Sequence, residues 1–381
     1  MKSLRYLRTL GAASVLLSVG FLATGTFAGA TNAHDEQPTS HAVFVESDQP
    51  GANTVLSYTR GTDGSLSYVA TYPTGGAGAA AAGAAADPLA SQGGLALVDN
   101  GRELIATNPG SNSVSVFAVY GAYLRLVQQV ASGGSFPVSI TSRGDLVTVL
   151  NAGGAGSISE YQLRGDHLVA LAGEVRSLGL ANTTPPDFVH GAGQVGYSPD
   201  GRFLVVTTKH SSDSFEVFTL THDGTLSTNA TITAATNAVP FAFNFDSYGH
   251  VVAAEASNSS VSTYAINADG SLSALGTVSD GAKALCWIAT AQGYFFGSNA
   301  GSATVSSFAD AGAAPTLLSA VAASTHPGTT DAAASPDGQF LYVESGGSGA
   351  LDAFAVGTNG TLTPIETLWN LPKPFEGIAV S

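Results

Sequence analysis

Ser198-Pro199-Asp200-Gly201-Arg202-Phe203-Leu204-Val205-Val206-Thr207-Thr208 decides the fold. A Pro-Asp-Gly turn is followed by a short β-branched run, which is the second half of a tight hairpin. The same turn recurs as Asp99-Asn100-Gly101-Arg102, Ser247-Tyr248-Gly249-His250 and Pro336-Asp337-Gly338-Gln339. Arg143-Gly144-Asp145 and Gln292-Gly293-Tyr294 hold the place in degenerate form. The turn glycines fall at 101, 144, 201, 249, 293 and 338, a spacing close to 45 residues with one longer step. A second turn family alternates with the first: Thr62-Asp63-Gly64-Ser65-Leu66, His222-Asp223-Gly224-Thr225-Leu226, Ala268-Asp269-Gly270-Ser271-Leu272 and Thr358-Asn359-Gly360-Thr361-Leu362. Two hairpins per unit at this period mean four-stranded propeller blades.

Between the two turns of each unit comes a strand, a polar residue, a small-residue loop and a strand ending in an aromatic. Seven copies run from Phe44-Val45-Glu46…Tyr58 to Tyr342-Val343-Glu344…Phe354. The first copy lacks its leading strand, and the chain ends on an orphan strand, Phe375–Val380. The expected fold is therefore all-β: a seven-bladed β-propeller of four-stranded blades, closed by the C-terminal strand completing the first blade. Closure removes the free edges that would invite aggregation.

At the other end, Lys2, Arg5 and Arg8 precede an apolar run to Phe27, then Ala28-Gly29-Ala30 and Thr31-Asn32-Ala33. This reads as a secretory leader over residues 1–33, cleaved after Ala33 with Ala30 as the second site, then a tail over 34–40 and the propeller over 41–381. Losing three cations takes the net charge from −15 to −18. Such a surface repels nucleic acid and anionic lipid. The expected partners are a small polar ligand or a cell-envelope component, with no nucleic acid, no membrane insertion after cleavage, and a monomeric chain. Cys286 is the only cysteine, so an intrachain disulfide and a cysteine metal cluster are both excluded. No histidine pair has zinc-ligand spacing, and no metal or cofactor is expected.

Both long insertions fall on the face opposite the tight turns: Pro73–Gly94, rich in Ala and Gly, and Leu180–Gly193. The Ala/Gly tract reads as a flexible spacer, while the Pro-containing loop divides evenly between spacer and binding loop. The polar residues ending the second strands lie on the same face: Glu46, Asn108, Asn151, Lys209, Glu255, Asn299 and Glu344. Either they satisfy loop backbone groups, or they line an axial mouth. In the second case Glu46, Glu255, Glu344 and Lys209 are the catalytic candidates for acid–base work. Asn108, Asn151, Asn299, Gln194, His190, His326 and Asp331 are then the ligand-binding candidates. His210 maps to this face too; His41, His167, His222 and His250 fall at the opposite turns. Cys286 and Trp287 belong to the innermost strand of blade six, where a lone cysteine serves as a small hydrophobe.

Ser91-Gln92-Gly93-Gly94-Leu95, Thr107-Asn108-Pro109-Gly110-Ser111-Asn112-Ser113-Val114-Ser115-Val116-Phe117, Tyr197-Ser198-Pro199-Asp200-Gly201-Arg202, Ala284-Leu285-Cys286-Trp287 and Ser335-Pro336-Asp337-Gly338-Gln339-Phe340-Leu341-Tyr342-Val343 carry a resemblance. From about His41 to Ser381 the chain resembles the lactonase-type seven-bladed propellers, which include 6-phosphogluconolactonase-like and 3-carboxymuconate-cyclase-like proteins. The resemblance implies an Arg-His pair before the Pro-Asp-Gly turn of a middle blade and Asn-Glu at the end of the next strand. The matching positions hold Gly193-Gln194 and Thr208-Lys209. Two readings stay open: a lactone-ring hydrolase or cyclase, and a non-catalytic extracytoplasmic module that binds protein, peptide or glycan.

Overall fold

The computed structural model describes residues 41–381 other than 211, 222 and 223. The proposed leader, its cleavage sites, His34 and His222 lie outside the described residues. Seven four-stranded antiparallel sheets follow one another along the chain. The innermost strands of blades two to seven are Leu95–Val98, Pro137–Arg143, Ala192–Tyr197, Pro240–Phe245, Leu285–Ala291 and Thr329–Ala334. Blade one takes its innermost strand, Ile378–Val380, from the chain end, paired antiparallel to Ala42–Glu46 through Val43↔Val380 and Val45↔Ile378. The expected closure is present.

Burial explains why the strands read as they do. Second strands such as Ala42–Glu46 and Phe203–Thr208 are buried along their whole length. They lie between neighbouring strands and between neighbouring blades, so both faces are apolar. Outer strands such as Leu272–Ser279 and Tyr123–Ala131 alternate exposed and half-buried positions, because one face meets water. The core sits between blades: Phe203, Val205, Phe215, Phe243 and Tyr264 interlock blades four and five.

The Ala/Gly tract overturns its spacer reading. Residues 73–94 fold over one face of the ring and into its centre, where Ala81, Asp87, Leu89, Ala90 and Ser91 are buried. Small side chains make this possible, since they let backbones approach as closely as packed strands. A Cβ at Gly78 would fall 2.1 Å from the Asp48 carbonyl, and one at Gly346 2.2 Å from the Ala86 carbonyl oxygen. Composition alone cannot tell this packing from slack. The Pro-containing loop joins the same cap: the Ala82 N–H donates to the Pro186 carbonyl at 2.8 Å, and the Phe188 N–H to the Ala82 carbonyl at 3.0 Å.

Candidate functional site

The cap ends in a plug. Asp87 turns the chain inward by accepting the N–H groups of Leu89, Ala90 and Ser91 at 2.8, 2.7 and 3.1 Å. Ser91 and Gln92 then cross the axis. The Trp287 indole donates to the Ser91 carbonyl at 2.7 Å, and Ser139 Oγ to the Gln92 carbonyl at 2.7 Å. The Gln92 carboxamide pairs with Ile288 both ways, at 3.0 Å each. The Gln92 N–H donates to Gly193. The inner strands of blades three, four and six are thus tied to one short segment, which closes the channel from the loop face.

What remains open is the half toward the tight turns. It is a cavity of about 380 Å³ lined by Gln92, Gln194, Asn244, Thr290, Asp331 and Ser335, among others. Among the described residues, no lysine or arginine lines it. Gln194 Oε1 accepts the Phe243 N–H at 2.7 Å, and Asn244 Nδ2 donates to the Ile288 carbonyl at 2.6 Å. Each amide is held by one end, leaving the other for a ligand. Asp331 accepts the Ala332 N–H at 2.7 Å. Burial nevertheless pushes its carboxyl up to about 7.

Behind Asp331, on the sealed side, lies a buried group of acids: Glu46, Asp48, Asp87, Glu344 and Glu376. Burial raises all of them, Asp87 to about 7 and the other four well above the ordinary carboxylate range; neighbouring carboxylates raise each further. Apart from Asp87, they accept few hydrogen bonds. Asn53 donates to Glu46 at 2.7 Å, the Glu376 N–H to Asp48 at 3.0 Å and the Gly377 N–H to Glu344 at 3.1 Å. One oxygen each of Glu46, Asp48 and Glu344 lacks a hydrogen-bond partner among the described residues, and the Glu376 carboxyl lies within hydrogen-bonding reach of the Asp331 carboxyl. Lys209 is the cation beside them. Its ammonium donates to the Ala90 carbonyl and lies 5.0 and 5.5 Å from the ring centres of Phe241 and Phe188. Burial lowers it to about 8 against the opposing pull of Asp87.

The residues expected at an open mouth therefore separate. Glu46 and Glu344 are neighbours and Lys209 neighbours Asp87 and Glu376, all of them under the plug rather than in contact with solvent. Glu255 stays in its own blade, accepting Tyr264 Oη at 2.6 Å and Ser260 Oγ at 3.2 Å. Asn108 accepts Thr74 Oγ1 at 2.6 Å and donates to Ser115 Oγ at 2.8 Å. Asn151 donates to the Ser132 carbonyl and Asn299 to Ser306 Oγ. These three asparagines hold loops and strands of the scaffold. His190 pairs with Asp187 on the cap, and His326 with Asp352 near the outer strands, so neither lines the cavity. Gln194 and Asp331 do. Cys286 is buried, its thiol pushed up to about 12 by burial.

Sequence reading missed Asp48, Asp87, Glu376, Gln92, Asn244 and Thr290. Asp87 left a signal, as the only charged residue between Pro73 and Gly94. Gln92 stands within the Ser91–Leu95 stretch that carries the family resemblance, while Asp48, Glu376, Asn244 and Thr290 carry no local mark and join the site only because the ring closes.

The family model described as lactonase, 7-bladed beta-propeller, matches residues 40–165 and 167–289. No curated protein matches the chain by sequence. Among solved structures, the periplasmic gluconolactonase of Pseudomonas aeruginosa is similar at 18% identity, with 89% of this chain and 98% of that one covered and a TM-score of 0.67. A candidate 6-phosphogluconolactonase from Bacteroides uniformis is similar at 16% identity, covering 90% and 100%, with a TM-score of 0.69. Another from Bacteroides fragilis is similar at 18% identity, covering 91% and 99%, with a TM-score of 0.67. At these identities the likeness is one of fold.

Proposed function

Because the chain belongs to the lactonase family of seven-bladed β-propellers, we propose that it binds and opens a small uncharged lactone in the axial cavity on the tight-turn face. The observation that carries this reading is a cavity of about 380 Å³ holding Asp331, a carboxyl raised to about 7 by burial. A general base is best matched near the working pH. The carboxylate takes a proton from water as the water oxygen attacks the ring carbonyl carbon. The ring C–O bond then breaks, and the leaving alkoxide recovers that proton from Asp331. One water is added, and the product is the open hydroxy acid. The Gln194 carboxamide, with its oxygen held by Phe243, supplies the N–H donor for the developing oxyanion. A phosphorylated lactone fits poorly, since no cation among the described residues lines the cavity.

A second reading is a module that binds without turnover. It is favoured by Gly193-Gln194 and Thr208-Lys209 at the positions where the family resemblance implies Arg-His and Asn-Glu. A panel of neutral and phosphorylated lactones separates the two. Hydrolysis of a neutral lactone is expected, rising with pH through about 7 as Asp331 ionises. Asp331→Asn is expected to lower kcat/KM about 10²–10⁴-fold while the circular dichroism stays native. Saturable lactone binding without hydrolysis supports the second reading, and an unchanged rate in Asp331→Asn removes the first.

The same reading places the protein outside the cytoplasm. The Met1–Ala33 pattern and the periplasmic Pseudomonas aeruginosa protein among the similar structures support it. N-terminal sequencing of material exported by the producing cell is expected to begin at His34; a chain retained whole in the cytoplasm would overturn it.

A further inference from the structure

We propose that the cleft between the outer strands of blades one and seven, Leu66–Pro73 and Leu362–Trp369, binds a neutral oligosaccharide, independently of the axial cavity. The cleft encloses about 380 Å³. Its walls include Tyr68 and Trp369, which are 61% and 53% exposed. Trp369 is one of only two tryptophans in the chain, and the other, Trp287, is buried in the centre of the ring. Large aromatic surface left in water is a common mark of a binding face.

Both rings are oriented before anything binds. Tyr58 meets Tyr68 edge-on at 5.8 Å, and the Tyr68 hydroxyl is bonded to Thr71 Oγ1 at 3.0 Å. The His326 ring packs edge-on against Trp369 at 4.3 Å, and His326 is itself held by Asp352 at 3.1 Å. Such preorganisation lowers the entropy cost of capture.

The lining also selects the ligand. Leucines and aromatics make up most of its lining, its polar side-chain groups are the Tyr58, Tyr68 and Thr71 hydroxyls and the Asn370 carboxamide, and among the described residues no Asp, Glu, Lys or Arg lines it. An ionic ligand would lose hydration there with no opposite charge to replace it. A purely apolar ligand would strand the amide and hydroxyls. A pyranose matches both demands, offering a C–H face to an aromatic ring and hydroxyls to the rim. The chain's net charge of −15 further disfavours acidic glycans.

Tryptophan emission provides the test, because exposed Trp369 responds to an occupant and buried Trp287 does not. The intact protein is titrated with cellohexaose, chitohexaose and maltohexaose, with oligogalacturonate as the anionic probe and a decaproline peptide as the competing class. At least one neutral hexasaccharide is expected to give a saturable blue shift, with oligogalacturonate inert. Tyr68→Ala is expected to weaken binding at least tenfold and Trp369→Phe to retain part of it, read by calorimetry. Asp331→Asn is expected to bind the sugar unchanged. No saturable response to any neutral hexasaccharide overturns the proposal. So does binding that survives the Tyr68→Ala/Trp369→Ala pair in a natively folded protein, or tighter binding of decaproline.

Discussion

Raising the pH from 5 to 8 is expected to lower the melting temperature by about 10 °C. Asp87 and Asp331 stand near 7 in the folded chain against 3.8 ordinarily, and Glu46, Asp48, Glu344 and Glu376 are raised as well. A carboxyl raised by folding binds its proton more tightly in the folded state. Its contribution is complete below about pH 4 and is lost as pH climbs through the folded value near 7. A tenfold gain in proton affinity is worth about 1.4 kcal/mol, but neighbouring acids do not titrate independently, so a combined loss of ~3–5 kcal/mol is expected. At about 2–4 °C per kcal/mol for a chain of this size, that gives the stated fall in melting temperature. Glu160 and Glu216, each raised to about 7 by burial, act in the same direction. Lys209, lowered to about 8 by burial, acts in the opposite one, but only above about pH 8. Glu376→Gln keeps the shape and removes a buried charge. It is expected to raise the melting temperature by several degrees at pH 8, and little at pH 5. A melting temperature that is flat or rises from pH 5 to 8 would mean these carboxyls are ionised and hydrated, and that the plug does not pack over them.

Ending the chain at Asn370 is expected to abolish cooperative folding. The deletion removes Phe375, fully buried between blades one and seven, with Leu371 and Ile378 from the same cluster. It also strips the inner edge from Ala42–Glu46, exposing unpaired N–H and carbonyl groups beside the acid group. Phe375→Ala alone is expected to cost about 3–5 kcal/mol. Size-exclusion chromatography and thermal unfolding provide the measurement. A monomeric truncated chain melting with the full-length protein would show that the ring does not depend on this strand.

Ring closure was legible in the chain. The turns at Gly101, Gly201, Gly249 and Gly338 need a positive φ, which these glycines adopt at 80, 68, 85 and 68°. Their spacing counts the blades, and a first blade short of one strand together with a spare strand at the C-terminus implies the seam. All of that is local chemistry repeated at a fixed period, so it can be read without coordinates.

The site was legible only in outline. Repeat symmetry put all the candidates at one mouth on the loop face; Glu46, Glu344 and Lys209 lie buried beneath that face, whereas Asp331 and Gln194 line the cavity at the opposite end. It misplaced Glu255, whose partners Ser260 and Tyr264 lie in its own blade. It could not foresee that the Ala/Gly tract would seal the loop face and leave the opposite mouth open. Sequence alone thus determined the blade count, the hairpins and the seam, because backbone conformation and apolar periodicity are properties of neighbouring residues. Tertiary structure alone decided which end of the axis is open and which carboxyls share a dry interior. Burial and charge repulsion depend on distances between residues hundreds of positions apart, which only the closed ring sets.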